Sequence, residues 1–160
     1  MKQLNHEISP IYNNDSSILI LGSFPSVKSR DGNFFYHHPQ NRFWKVLEAI
    51  YHHSSLVSIE DKKNFLLQNN IAVWDVIASC KIEGSSDSSI EDVTANDIDF
   101  LIKHSKITKI YTNGNVADSL YQKYCYPITK IVATKLPSTS PANASYSLSK
   151  LIEKWQILKD

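Results

Sequence analysis

The stretch Asn33-Phe34-Phe35-Tyr36-His37-His38-Pro39-Gln40-Asn41-Arg42-Phe43-Trp44 gathers the chemically capable side chains most densely. Rings stack on flat ligands, and Asn and Gln amides present a donor beside an acceptor, the pattern complementary to the edge of a nucleobase. Loops are rarely this aromatic unless something packs on them. Phe43 and Trp44, at the start of a helical pattern, also read as core filling. His37 and His38 would open a metal site only with a third ligand at sensible spacing, and the sequence offers none, so no metal and no cofactor is expected.

Three shorter loops add polar groups. Gly22-Ser23-Phe24-Pro25-Ser26 is stiff and small, with free backbone N–H groups and two hydroxyls suited to a phosphate or a carbonyl oxygen. Taken alone, it is an ordinary strand-to-helix turn. Asp75, within Val73-Trp74-Asp75-Val76-Ile77, is a single carboxylate in an apolar run: a ligand contact, a helix cap or a structural ion pair. Leu136-Pro137-Ser138-Thr139-Ser140-Pro141-Ala142-Asn143 holds a row of hydroxyls between prolines, the fixed donors that a phosphodiester backbone requires. There is no His-Glu-x-x-His, P-loop, dinucleotide fingerprint or nucleophile elbow. Two cysteines, Cys80 and Cys125, are too few for a cysteine-built zinc or iron–sulfur site and leave a disulfide possible but unforced.

The elements that must hold these loops alternate between short apolar runs and helical spacing. Ile18 to Leu21, Ile71 to Ile77, Ile107 to Thr112 and Ile128 to Ala133 read as four buried parallel strands. Helices are expected over Asn41 to Tyr51, Asp61 to Gln68, Asp97 to Lys103, Val116 to Tyr124 and Leu148 to Leu158, with Pro127 ending the fourth. Gly84 to Ser89 reads as an exposed loop. Such an α/β order places Gly22, Asp75 and the Leu136 loop at strand carboxyl ends, where open sheets bind ligands.

A chain of 160 residues, 42% hydrophobic and 21% charged, fits one folded domain over 1–160 and excludes disordered and collagen-like classes. Lys plus Arg number 17 against 16 Asp plus Glu, so no global field holds nucleic acid by charge alone. Charge is uneven locally. Glu83 to Asp99 carries six acids and no base, and Lys103 to Lys135 carries six lysines against Asp118 alone; each is a solvated face or a binding surface. No apolar run is long enough to span a membrane and no signal-like start is present, so a cytoplasmic chain without membrane attachment is expected.

Taken together, Gly22-Ser23-Phe24-Pro25-Ser26, His38-Pro39-Gln40-Asn41-Arg42-Phe43-Trp44, Ala72-Val73-Trp74-Asp75-Val76-Ile77 and the Leu136 to Asn143 loop resemble the hypoxanthine-DNA glycosylases, a branch of the uracil-DNA glycosylase superfamily. The match spans nearly the whole chain in the family's order. The resemblance implies a three-layer α/β/α sandwich with a central four-stranded parallel sheet, and DNA crossing the strand carboxyl ends. In the wider superfamily the first loop supplies an Asp or Asn that positions water; here the corresponding place is Phe24, and the His found near Leu136 in many relatives is missing as well. Both departures are shared by the hypoxanthine-specific branch, whose functional amide corresponds to Asn41.

On that resemblance the expected catalytic residue is Asn41, holding a water below the sugar carbon. Gly22, Ser23, Phe24, Pro25, Tyr36 and Asp75 are expected to bind the base, with Tyr36 or else Phe35 stacking on it. Ser26, Ser138, Ser140 and Asn143 are expected on the DNA backbone, Asn143 near a minor-groove wedge. The expected partner is DNA containing deaminated bases, met by a monomer with no obligate protein partner. A uracil or xanthine glycosylase of broader range, a damaged-DNA-binding module without chemistry and a hydrolase of free nucleosides stand as alternatives.

Overall fold

The computed structural model describes residues 2–160. In chain order the elements are β1 (Gln3–Asn5), β2 (Ile18–Gly22), α1 (Val27–Gly32), α2 (Phe43–Ile50), α3 (Ile59–Gln68), β3 (Ile71–Asp75), β4 (Ile77–Glu83) and β5 (Ser86–Ala95). There follow α4 (Ile98–Lys103), β6 (Lys109–Asn113), α5 (Asn115–Tyr124), α6 (Tyr126–Thr129), β7 (Ala133–Leu136), α7 (Leu148–Trp155) and a closing 3₁₀ turn, Gln156–Lys159.

β3, β2, β6 and β7 form a four-stranded sheet in that order, parallel throughout. The central strand explains why its run is apolar at every position. Ile18 and Ile20 face a cluster built with Phe43, Leu47, Phe65, Leu151 and Trp155 of α2, α3 and α7. Leu19 and Leu21 face the opposite cluster, with Ile98, Leu101 and Tyr121 of α4 and α5. Both faces are covered, which a polar residue at any of these positions would disrupt. The sheet is thus the middle of three layers.

Beyond β3 the chain turns at Val76 and enters a second, antiparallel sheet of order β1-β4-β5. Phe24, Ile77, Cys80 and Ile82 form its small core. The expected loop at Gly84 to Ser89 is instead a hairpin tip at Gly84 and Ser85 followed by the ten-residue β5. Its serines bond their own surroundings: Ser89 Oγ donates to Ser86 O at 2.7 Å and accepts from Glu83 N–H at 2.8 Å. Polar residues suffice on an edge strand with a solvated face.

Two further expectations shift. The fourth strand is Ala133–Leu136 and not Ile128 to Ala133, because Lys130 adopts a left-handed φ of 60° and the Tyr121 hydroxyl captures Ile131 O at 2.6 Å. Pro127 does not end α5; it opens α6, at a position where its missing N–H has no helical partner to lose. The unanticipated α1 is capped by Ser26, whose Oγ accepts from Ser29 N–H at 3.1 Å. Cys80 and Cys125 are both free and buried, and burial pushes the Cys125 thiol up to about 12.

Candidate active site

The carboxyl ends of β2, β3 and β6 contribute Gly22, Asp75 and Asn113 to one cavity of about 290 Å³, closed by the loop after β7. Gly22, Ser23, Phe24, Pro25, Ser26, Tyr36, Asn41, Asp75, Ser138 and Ser140 all line it. Asn143 does not. It lines an adjoining groove together with Lys135 and Lys154.

Asn41 is held from two sides. Its Oδ1 accepts from Phe43 N–H at 2.9 Å, opening α2, and from Thr139 Oγ1–H at 2.9 Å. Thr139, fully buried, is itself set by Asn113, whose Nδ2 donates to Thr139 Oγ1 at 3.0 Å and whose Oδ1 accepts Thr139 N–H at 3.0 Å. A backbone N–H can only donate, so the atom facing Phe43 N is the amide oxygen and the orientation follows without ambiguity. Among the described residues nothing engages Nδ2, which leaves a free N–H₂ donor on a residue that lines the cavity. Such a group can hold a water through its oxygen but cannot take a proton from it.

Arg42 secures the same arrangement. Its guanidinium donates to four carbonyls of the last loop: Thr139 at 3.4 Å, Ser140 at 2.9 Å, Asn143 at 3.0 Å and Tyr146. Its own N–H adds a bond to Thr139 O at 3.1 Å. The loop is tightened further by Ser140 N–H to Ser138 Oγ, Ala142 N–H to Ser140 Oγ and Asn143 Nδ2 to Ser138 O, each close to 3 Å. The Asn143 side chain therefore braces the loop from within. Ser26 is likewise engaged as the α1 cap.

Across the cavity Asp75 ends β3, nearly buried, with its Oδ2 at 2.8 Å from His6 Nε2. A Cβ on Gly22 would lie 2.4 Å from Asp75 Oδ1 and 3.1 Å from the Tyr36 hydroxyl, so only glycine lets these two atoms share the floor. Tyr36 stacks on Phe43 at a centroid distance of 3.9 Å, which covers one face of its ring. Burial, reinforced by the negative charge of Asp75, raises the Tyr36 pKa and keeps it a protonated donor at neutral pH. Phe24 contributes an apolar wall, met edge-on by His6 and approached by the Arg30 guanidinium.

Asp87 of β5 hangs over the mouth. The residue is exposed as a whole, but its carboxylate turns inward and accepts from Ser23 Oγ at 2.9 Å. Burial raises its pKa; the Ser23 bond opposes that and Asp75 adds to it. The acidic run thus places one member at the site. The lysine run does not form a single face: Lys106 pairs with Asp15 at 3.1 Å and Lys109 with Asp160 O at 2.6 Å, both at the amino ends of the strands, while Lys103 pairs with Asp99. Lys135 alone of that run lines the groove beside the cavity.

His6, Asp87, Asn113, Thr139 and the brace from Arg42 were not expected from sequence. Asn113 had a usable signal, a polar residue closing an apolar strand at the end where ligands bind. Among the described residues no group of three or more His, Cys, Asp or Glu is placed to hold a metal ion, and no helix is long and apolar enough to cross a membrane.

Known proteins resemble this chain in sequence and in fold. Residues 9–160 match the uracil DNA glycosylase superfamily. A hypoxanthine DNA glycosylase of Methanosarcina acetivorans is 34% identical over 151 residues, 91% of this chain and 92% of the relative. One from Methanosarcina barkeri is 33% identical over 93 residues, 58% of this chain and 59% of the relative. The solution NMR structure of a candidate uracil DNA glycosylase from Methanosarcina acetivorans superposes with a TM-score of 0.79 at 30% identity, covering 96% of this chain and 97% of that one. A parallel sheet with its cavity at the strand carboxyl ends, matched along nearly its full length, makes this chain a member of the uracil DNA glycosylase superfamily.

Proposed function

We propose that the chain is a monofunctional DNA N-glycosylase that hydrolyses the glycosidic bond of deaminated bases in DNA, hypoxanthine foremost. The single observation that supports it best is the Asn41 amide: its oxygen is taken by Phe43 and Thr139, and its free N–H₂ lies on the wall of a cavity whose first loop carries Phe24 in place of a water-positioning acid or amide.

The chemistry follows from the charge that develops. As the bond between C1′ and the base breaks, the electron pair leaves with the base and positive charge grows on the sugar, helped by flanking phosphates. A water held by Asn41 Nδ2 forms the new C1′–O bond and gives up its proton, and the departing base takes one. No covalent enzyme nucleophile is needed. The nucleotide must leave the stack to reach a cavity of this size, and hypoxanthine, which pairs poorly, costs less to extract than a normal purine. Phe24 packs against the flipped base, the Gly22 to Ser26 loop and Asp75 address its edge, and Ser138 and Ser140 with Lys135 meet the flanking phosphates. We assign this activity to the single domain 1–160 acting as a cytoplasmic monomer without an obligate protein partner.

The test is incubation with duplexes carrying deoxyinosine, deoxyuridine or deoxyxanthosine, scored for alkali-labile abasic sites. Release from deoxyinosine at the highest rate is expected; no product from any of the three at excess protein would overturn the assignment and leave the chain a binder of damaged DNA.

A further inference from the structure

The floor of the cavity holds a buried hydroxyl with nothing to bond. Among the described residues Tyr36 OH has no hydrogen-bond partner, and the neighbouring Asn113 amide bonds Thr139 through both its oxygen and its nitrogen. A buried unpaired donor is costly and rare. It sits on a residue with a left-handed φ of 50°, a conformation that side chains seldom adopt, fixed by the Phe43 stack and by Trp44 Nε1 donating to Tyr36 O at 3.2 Å. Two unfavourable features kept on one residue, at the floor of a ligand cavity, indicate that the ligand supplies the missing acceptor.

The acceptor for the ligand's own donor is beside it. Asp75 Oδ1 and Tyr36 OH both crowd the space over Gly22. Asp75 Oδ2 is occupied by His6 Nε2 at 2.8 Å, with the two side chains only 2% and 6% exposed. His6 directly follows β1 of the antiparallel sheet and its N–H bonds Ala78 O of β4 at 2.7 Å, so a residue anchored on the second sheet sets a carboxylate at the end of the first.

We propose that Tyr36 OH and Asp75 Oδ1 read the adjacent C=O and N–H of a lactam edge, and that His6 is the positioning residue that holds Asp75 in register. In hypoxanthine the C6 oxygen accepts from Tyr36 and N1–H donates to Asp75. Adenine sets a ring-nitrogen acceptor against the carboxylate, acceptor facing acceptor, and its amine can only donate to the Tyr36 oxygen, which leaves the hydroxyl proton still unpaired. The assignment rests on the proposed glycosylase activity and gives it one chemical discrimination, hypoxanthine over its amino parent adenine, with the carbonyl read by the tyrosine edge and not by its ring face.

Single-turnover release from deoxyinosine and from 6-thiodeoxyinosine tests it, because sulfur at C6 keeps N1–H and weakens the acceptor. Tyr36→Phe is expected to slow release of hypoxanthine about 10- to 100-fold, the size of one aimed hydrogen bond, and to slow release of the thio base far less. His6→Leu should slow both equally, with His6→Gln, which retains an N–H at the same reach, restoring most of the rate. Thermal melting accompanies each variant, and Tyr36→Phe should melt no lower than wild type, since it removes an unpaired hydroxyl. Equal losses on the two substrates with Tyr36→Phe, or no loss with Tyr36→Phe or with His6→Leu, would overturn the proposal. Should Tyr36→Phe fail to fold, stabilisation of the wild-type protein by free hypoxanthine but not by free 6-thiohypoxanthine supports it, and equal stabilisation contradicts it. Wild-type protein inactive on deoxyinosine would instead remove the glycosylase reading itself.

Discussion

The two sides of the cavity are built on opposite terms. On one, Asn113, Thr139 and Asn41 hand hydrogen bonds to one another and Arg42 ties four loop carbonyls, so each polar group that positions Asn41 is paired within the protein. On the other, Asp75 is fixed by His6 but the adjacent Tyr36 hydroxyl is left unpaired. A fully paired network is rigid, which suits the placement of a water at one point. An unpaired buried donor suits discrimination, because any ligand that leaves it unpaired is penalised. On the proposed function, water positioning and base reading fall on different walls of one site.

Arg42→Ala breaks the comparison most severely, since it leaves four carbonyls of the rigid side without their donor. A loss of about 3 kcal/mol, seen as a melting temperature lower by roughly 6–12 °C, is expected. Gly22→Ala strikes the reading side: its Cβ would collide with Asp75 Oδ1 and crowd Tyr36 OH. Overpacking there should cost about 2 kcal/mol of stability, measured by denaturant melting, together with most of the base-release rate. Thr139→Val is nearly isosteric and removes one of the two donors to Asn41 Oδ1. It should cost about 1 kcal/mol and roughly tenfold in single-turnover rate, with DNA affinity nearly unchanged.

The smallest expected effect has the opposite sign. The Asp87 carboxyl has a raised pKa, so the folded chain keeps a proton that the unfolded chain gives up, and stability falls as pH rises through that raised value. Asp87→Asn should therefore melt ~1–2 °C higher than wild type at neutral pH, with the gain vanishing as pH drops below the ordinary carboxylate range near about 3.9. A gain that persists in acid would place its cause elsewhere than in the charge.

The β2–β3 half of the parallel sheet is legible because those two strands are apolar at successive positions, as burial on both faces demands. Asn41 was legible through resemblance and Asp75 through its isolation in an apolar run. β5 was not, since its serines satisfy the backbone locally and give the composition of a loop. The fourth strand was misplaced because Ile128 and Ile131 carry β propensity into a segment that Tyr121 and the left-handed Lys130 hold in a turn. His6 left no local trace either, its partner Asp75 lying 69 positions away. The partners of Arg42 are backbone carbonyls about a hundred positions distant, which no side-chain pattern reveals.

The role of the amide is tested most directly by single-turnover cleavage of a deoxyinosine duplex with Asn41→Ala, measured beside the affinity of the same protein for the same duplex. A fall in rate of about 10²–10³-fold with affinity within about twofold of wild type is the predicted result. Undiminished base release by the alanine variant would contradict the placement of water by Asn41.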